Sequence, residues 1–154
     1  MSMPPRFNIG PSVLFPMVFI VDEGSVFNGS IDKVWKLNQS EGKHSHPSLR
    51  NQSAEMDGDH VILTYETKMP DGSWVKQKAK TTAYPPLGIV FETIEGPMAG
   101  SKSFQFYTPK GDKTGVTVVG EYVSKGAPDS AIKAGVMGFL QTVFDEDQKN
   151  ISKM

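Results

Sequence analysis

The sequence predicts an α+β fold in which a curved antiparallel β-sheet of six to seven strands wraps around a long C-terminal helix. Three observations predict it. An apolar run rich in β-branched and aromatic residues stands near the N-terminus, strand-length segments separated by turn clusters fill the middle of the chain, and the C-terminal part has helical periodicity. Strands bracketed by helices are typical of a sheet that carries its helices on one face. One or two short helices are expected after the first strand, and the 154 residues are predicted to form a single domain.

The apolar run Val13–Val21 contains the start of the first predicted strand. It is shorter than the roughly 20 apolar residues that cross a bilayer. Only one basic residue, Arg6, precedes it, Pro16 interrupts it, and no clear small-residue cleavage site follows, so a signal peptide is disfavoured. We predict a strand from after Pro16 to about Phe27, a loosely ordered segment over residues 1–12, and a cytoplasmic location as the default.

A short amphipathic helix is predicted directly after this strand. Ser30 is a favourable N-cap, and Asp32 lies in the first turn, where the helix dipole favours an acid. Val34 and Trp35 contribute to an apolar face. The following stretch, residues 39–53, is polar and contains Gly and Pro, so it is predicted to hold at most one further helical turn.

The middle of the chain is predicted to form an antiparallel meander. Clusters of Gly, Pro and Asp or Lys mark turns at residues 69–73, 84–88, 96–100 and 109–113. The segments between the turns are predicted strands at about 60–69, 73–84, 88–95, 101–108 and 114–123. Because the connections are short, strands that are neighbours in sequence are expected to be neighbours in the sheet.

The C-terminal segment is predicted to be one long helix. Pro128 fits its first turn, and Ile132, Val136 and Leu140 fall on one stripe of a helix that continues to about Asn150. One helix lying across a strongly bent sheet need not close that face completely. A cavity between sheet and helix is therefore predicted.

The order of elements resembles the START-related helix-grip superfamily, which includes the pollen-allergen-like proteins and the polyketide cyclase/dehydratase-like domains. The local motif is Ser30-Ile31-Asp32-Lys33-Val34-Trp35 after a strand, and the resemblance extends from about Met17 to Ile151. It implies a helix-grip fold. It also implies a cavity for lipids, sterols, polyketides or other apolar ligands, in which some members catalyse cyclisation or dehydration. The superfamily shares no residue-level catalytic pattern, so the resemblance implies no active site.

The predicted function is binding or transport of a small hydrophobic ligand that is lipid-like, polyketide-like or aromatic. We chose apolar or aromatic residues on strands and helices that must face each other as the lining. They are Trp35, Phe91, Phe104, Phe106, Val118, Tyr122, Val136, Met137 and Leu140. One alternative is a cyclase/dehydratase-type enzyme, in which an inward-facing His46, His60 or Glu abstracts a proton. The other is a protein-interaction module with a filled cavity and a large exposed apolar patch.

Composition and charge argue against several classes of binding partner and of chemistry. Lys plus Arg number 16 against 17 Asp plus Glu, a net charge of −1, which argues against the cationic field that nucleic-acid binding requires. The chain has no Cys, which excludes disulfides, thiolate metal sites and a thiol nucleophile. No glycine-rich phosphate loop is present, and no cofactor and no metal are predicted. A homodimer stays open, because the sequence does not constrain the oligomeric state.

The three histidines of the sequence can be interpreted in three ways. His44 and His46 lie two residues apart in the polar stretch and could bind a metal, with His60, Glu41, Asp57 or Asp59 completing the ligand set. A catalytic His at the cavity mouth is a second interpretation. Exposed side chains without a chemical role are the favoured one.

The acidic residues of the predicted strands can be interpreted in two ways, as buried carboxyl groups or as members of exposed ion pairs. Burial beside an aromatic residue would raise the pKa of a carboxyl group and make it a general acid or base. Pairing with a row of lysines on an exposed sheet face is favoured instead. The acids are Glu66, Glu92 and Glu95, and the lysines are Lys76, Lys78 and Lys80.

Overall fold

The computed structural model describes residues 17–39, 46–69 and 71–154. The predicted loose segment 1–12 and residues 40–45 of the polar stretch, which include His44, lie outside the described residues. The elements, in chain order, are β1 Val18–Phe27, α1 Ile31–Gln39, β2 Leu49–Asp57, β3 His60–Lys68, β4 Trp74–Tyr84, β5 Gly88–Glu95, β6 Lys102–Lys110, β7 Lys113–Tyr122 and α2 Asp129–Ser152.

The seven strands form one antiparallel sheet in the order β1-β7-β6-β5-β4-β3-β2. Strands β2 to β7 follow one another as a meander, and β1 lies beside β7 at one edge. The predicted fold class is confirmed, and the five strands predicted for the middle of the chain correspond to β3 to β7. The predicted first strand, first helix and C-terminal helix are also observed.

Strand β2 was not recognised in the polar stretch, for which at most a helical turn is predicted. It is an edge strand, and most of its side chains are exposed on both faces. An alternating apolar pattern arises only when one face of a strand is buried, so β2 lacks that pattern. Its position is fixed by backbone pairing with β3, which is interrupted by a register shift between Arg50 and Ser53.

The C-terminal helix packs along β1 and β7 through two buried clusters. The first brings Ile132 and Val136 of the helix against Val18, Ile20 and Tyr122. The second lies toward the helix C-terminus and contains Phe27, Val34, Leu37, Ile89, Tyr107, Val116, Val118 and Ile151. Burying these apolar surfaces holds the helix against one half of the sheet.

The junction between β1 and α1 holds the last turns of α2. The rings of Phe27 and Phe144 stack with centroids 4.4 Å apart. The backbone N–H of Asn28 donates to Oε1 of Gln148 at 2.7 Å. A Cβ on Gly29 would lie 2.6 Å from a methyl carbon of Ile151, so only glycine lets the helix approach this closely. The end of α2 is thus anchored at one end of the sheet.

Candidate functional site

The inner face of β3 to β5 receives fewer contacts from the two helices than the inner face of β1, β6 and β7 does. Helix α2 makes its closest approaches to β1 and α1, and its two buried clusters draw on β1, β5, β6 and β7. The inward-facing side chains of Val61, Leu63, Tyr65 and Phe91 are consequently only half buried. We call the space in front of them the concave groove.

Strand register shows which side chains face this groove. Leu63 lies opposite Ala79 and Tyr65 lies opposite Gln77 on the neighbouring strand. Ala79 and Gln77 are buried, whereas the alternate residues of β4 include the lysines of the outer face. Since side chains alternate along a strand, the odd-numbered residues of β3 and β4 form the groove wall.

Most residues predicted to line a cavity lie on the inner side of the sheet. Val118, Tyr122 and Val136 are buried in the two clusters, and the remaining inner residues, Trp35, Phe91, Met137 and Leu140, are partly buried and pack against those clusters. Met137 and Leu140 come from α2, Trp35 from α1 and Phe91 from β5. Of these four, Phe91 lies on the strands that line the concave groove.

Phe104 and Phe106 require a correction, because the structure places both on the outer face of the sheet. Their side chains are 41% and 45% exposed. Phe104 lies opposite Val90, and the inward-facing residues of β6 are instead Ser103, Gln105 and Tyr107. The prediction selected the most apolar residues of this strand, and in β6 those residues point away from the helix.

The outer face carries a shallow concavity of about 410 Å³ around these two rings. Its walls come from the β4–β5 turn and from β5 and β6. The lining residues are Tyr84, Leu87, Gly88, Ile89, Val90, Phe104, Gln105 and Phe106. It is a second, distinct apolar surface on the opposite side of the sheet from the concave groove.

Hydrogen bonds close one end of the groove. The phenol oxygen of Tyr107 accepts from Nδ2 of Asn38 at 2.9 Å and from Nε2 of Gln105 at 2.8 Å. The indole N–H of Trp35 donates to the carbonyl of Pro86 at 3.3 Å. The Trp35 and Tyr107 rings meet edge to face at 5.6 Å. Helix α1 is thereby fixed across the ends of β5 and β6.

Tyr122 brings a second phenol to the inner face. A Cβ on Gly120 would lie 2.8 Å from Cε2 of Tyr122, so the ring lies across the space that this glycine leaves. Burial raises the pKa of the Tyr122 hydroxyl, and the charge of Asp22 raises it further, while a hydrogen bond with Ser103 acts in the opposite direction. The phenol is therefore kept neutral and can serve as a hydrogen-bonding group.

His46 is buried, which differs from the favoured interpretation of an exposed residue. Its Nδ1 lies 2.8 Å from Oε1 of Glu146 and its Nε2 lies 3.0 Å from Oδ1 of Asp147. Ser48 donates to Glu146 through its backbone N–H at 3.0 Å and through its hydroxyl at 2.8 Å. This cluster joins the segment before β2 to helix α2.

The two carboxylates favour the charged form of His46. Burial by itself lowers the pKa of the imidazole, but Asp147 and Glu146 together outweigh this effect and raise the pKa above 6.5. His60 occupies a different place. Its Nδ1 lies 2.7 Å from the hydroxyl oxygen of Thr82, and its neighbour Val61 is the residue that faces the groove. Neither of these histidines faces the groove.

The raised pKa of His46 predicts a pH-dependent stability. A raised folded-state pKa contributes stability that is complete below the unfolded-state pKa of about 6.5 and is lost as the pH rises through the folded-state pKa. We expect the difference in melting temperature between the wild type and His46→Gln to shrink as the pH rises from about 5 to about 9. Thermal denaturation of both proteins across this range measures it. A difference that does not vary with pH would contradict the assignment.

The acidic residues of the sheet form ion pairs with basic residues on its outer face, in agreement with the favoured interpretation that they are exposed. The ion pairs, with N–O distances between 3.2 and 3.6 Å, are Arg50 with Glu66, Lys78 with Glu95 and Lys102 with Glu92. Hydrogen bonds from Asn51 and Arg50 lower the pKa of Glu66. None of these three acids is buried.

Two kinds of feature are absent from the described residues. Within residues 17–39, 46–69 and 71–154, no group of three His, Asp or Glu side chains could hold a metal ion. In the same residues, no helix is both long and apolar enough to cross a membrane.

Comparison with solved structures identifies the architecture. The Zhui aromatase/cyclase from Streptomyces sp. R1128 superposes with a TM-score of 0.75 at 11% identity, covering 89% of this chain and 94% of that one. The chain has the helix-grip fold. The helix-grip protein Ara h 8.0201 matches with a TM-score of 0.71 at 14% identity over 90% and 99% of the two chains. Norcoclaurine synthase from Thalictrum flavum, solved with dopamine and hydroxybenzaldehyde, matches with a TM-score of 0.62 at 19% identity over 89% and 87%.

These likenesses are structural. No family model matches the chain, and no curated protein matches it. The predicted resemblance to the helix-grip superfamily is confirmed at the level of fold. Within this helix-grip chain, sequence reasoning did not single out the buried pair of His46 and Glu146, whose members lie 100 residues apart, or the inward-facing amide of Gln77. The alternation of β4 is the signal that could have placed Gln77 on the inner face.

Proposed function

We propose that this helix-grip protein binds a small hydrophobic molecule in the concave groove. The observation that carries the proposal is the set of half-buried apolar and aromatic side chains on β3 and β5 that α2 leaves uncovered. Such side chains lose contact with water when a ligand fills the groove, which supplies about 25 cal/mol for each Å² of apolar surface removed from water.

Binding is preferred to a cyclase-type reaction because of where the titratable groups lie. His60 contacts Thr82 on the outer side, and His46 is held between Glu146 and Asp147. A general base needs hydrogen-bond reach to a substrate proton, which neither histidine has for a ligand in the groove. The phenols of Tyr65 and Tyr122 have raised pKa values through burial, so they stay protonated and suit recognition.

A fluorescence titration tests the proposal. N-phenyl-1-naphthylamine is a neutral apolar dye whose emission rises when it leaves water. We expect it to bind the wild type with a dissociation constant of about 1–100 µM. Unchanged emission throughout the titration would contradict the proposal. A cytoplasmic location and a homodimer stay predictions that this measurement does not address.

A further inference from the structure

The outer face of the sheet carries a continuous apolar surface on the side away from the two helices. A row of apolar residues crosses β1, β7, β6 and β5, with each member directly opposite the next: Val21, Val119, Phe104 and Val90. Residues opposite one another on neighbouring strands point to the same face of a sheet. Further exposed apolar residues extend the row along β1 and toward the β4–β5 turn, and they are Phe19, Phe106, Leu87 and Tyr84. We call all these residues the outer patch.

The outer patch is large for the surface of a monomer. The rings of Phe19, Phe104 and Phe106 are 63%, 41% and 45% exposed, and Tyr84 and Leu87 are more than half exposed. Since a whole aromatic side chain presents about 200 Å², these five residues leave about 500 Å² of apolar surface in water. The largest apolar patch on a typical monomer covers about 300–600 Å². A standard interface buries about 800 Å² on each partner, so the outer patch and a polar rim supply the area that one stable contact needs.

Charged residues of alternating sign form that rim. Glu121, Lys102 and Glu92 lie opposite one another in the next row across β7, β6 and β5. The amino nitrogen of Lys102 lies 3.6 Å from the carboxylate of Glu92. Two acids for one lysine disfavour an anionic membrane or a nucleic acid as the partner. A second copy of the chain presents the same alternation, and a two-fold axis can set the lysine of one copy beside an acid of the other.

We propose that the outer patch is the interface of a homodimer in which two copies pack their sheets face to face. A two-fold interface uses the same surface on both copies, and stacked sheets lie about 10 Å apart. Phe104 lies in the middle of the apolar row, so its ring is buried by the second copy. The outer concavity beside Phe104 and Phe106 becomes part of this interface. The concave groove lies on the other side of the sheet, so the inference goes beyond the proposed function and does not depend on it.

Sedimentation velocity of the full chain tests the interface. We expect the wild type to be mainly a dimer at about 100 µM and to dissociate on dilution. Phe104→Glu places a carboxylate from each copy in the apolar interface, so it should raise the dissociation constant of the dimer at least about tenfold. Met56→Glu is the matched control, because Met56 is 71% exposed on β2 at the opposite edge of the sheet. It should leave the dissociation constant unchanged, with circular dichroism showing that both variants are folded.

Thiol labelling measures the same interface without a charge in the patch. The chain has no Cys, so Thr117→Cys introduces a single thiol on the outer face, opposite Phe106. We expect its rate of reaction with a maleimide to fall about threefold or more between about 1 and about 100 µM protein, because the second copy covers it. Thr64→Cys is the control, since Thr64 faces outward on β3 beyond the patch. Its labelling rate should not vary with protein concentration.

Three results would overturn the inference. A wild type that stays monomeric at every concentration has no such interface. A dimer whose dissociation constant is the same in Phe104→Glu uses another surface. A labelling rate of Thr117→Cys that does not vary with concentration shows that no second copy covers the patch, and a uniformly slow rate assigns the cover to another part of the same chain. The dye titration of the groove is independent of all three, so the proposed function can stand or fall separately.

Discussion

Replacing Leu63 by Trp is expected to weaken binding of N-phenyl-1-naphthylamine at least about tenfold. Leu63 is half buried at the centre of the inward face of β3, opposite Ala79. The larger indole would occupy the volume in which the ligand is proposed to lie. A tenfold loss corresponds to about 1.4 kcal/mol, which is less than the apolar burial that a naphthalene-sized ligand gains.

A matched control lies one residue away. Ile62 is also half buried, but it lies opposite Lys80 and so belongs to the outer face. Ile62→Trp adds the same bulk to the same strand and should leave the dye affinity unchanged. Circular dichroism would show that both variants are folded. Equal weakening by both substitutions, or by neither, would contradict the position proposed for the ligand.

The second large effect is expected from Glu146→Ala. The Glu146 carboxylate is buried and accepts hydrogen bonds from the backbone and hydroxyl of Ser48 while it contacts Nδ1 of His46. Removing one partner of a buried ion pair leaves the other uncompensated, and such changes cost about 3–5 kcal/mol. Urea denaturation near neutral pH measures the change, with an unaltered m-value as the sign that only stability has changed.

Two further substitutions show why Glu146→Ala is expected to lose stability. Asp145 is exposed, and Asp145→Ala should change the free energy of unfolding by less than about 0.5 kcal/mol. Glu146→Gln keeps an acceptor for Ser48 and removes the charge beside His46, so its effect should be intermediate. If Glu146→Ala were as stable as Asp145→Ala, the cluster would not hold the segment before β2 on the helix.

The sequence predicted the elements whose apolar pattern matches their burial. Strand β1 is a β-branched run, and α2 has an apolar stripe with a proline before its first turn, so both could be placed within a few residues. Strand β2 has no such stripe because it is an exposed edge, and only its backbone pairing with β3 defines it. Local pattern therefore predicts buried elements well and exposed edges poorly.

The site was harder to predict because it depends on which face of a strand turns inward. In β6 both faces carry aromatic residues, with Phe104 and Phe106 outward and Tyr107 inward, so apolar character selected the wrong face there. The partners of His46 lie 100 residues away in sequence, and no local signal connects them. Gln77 differs, because its alternation with Lys76 and Lys78 already places it on the face opposite the lysines.

The most direct measurement is a crystal structure of the protein grown with 2-naphthol. We expect electron density for the naphthalene in the concave groove, in front of Leu63 and Phe91. The rival position is the outer concavity beside Phe104 and Phe106, which is apolar and has a volume of about 410 Å³. Density only at that outer position, with the groove filled by protein side chains, would contradict the central claim.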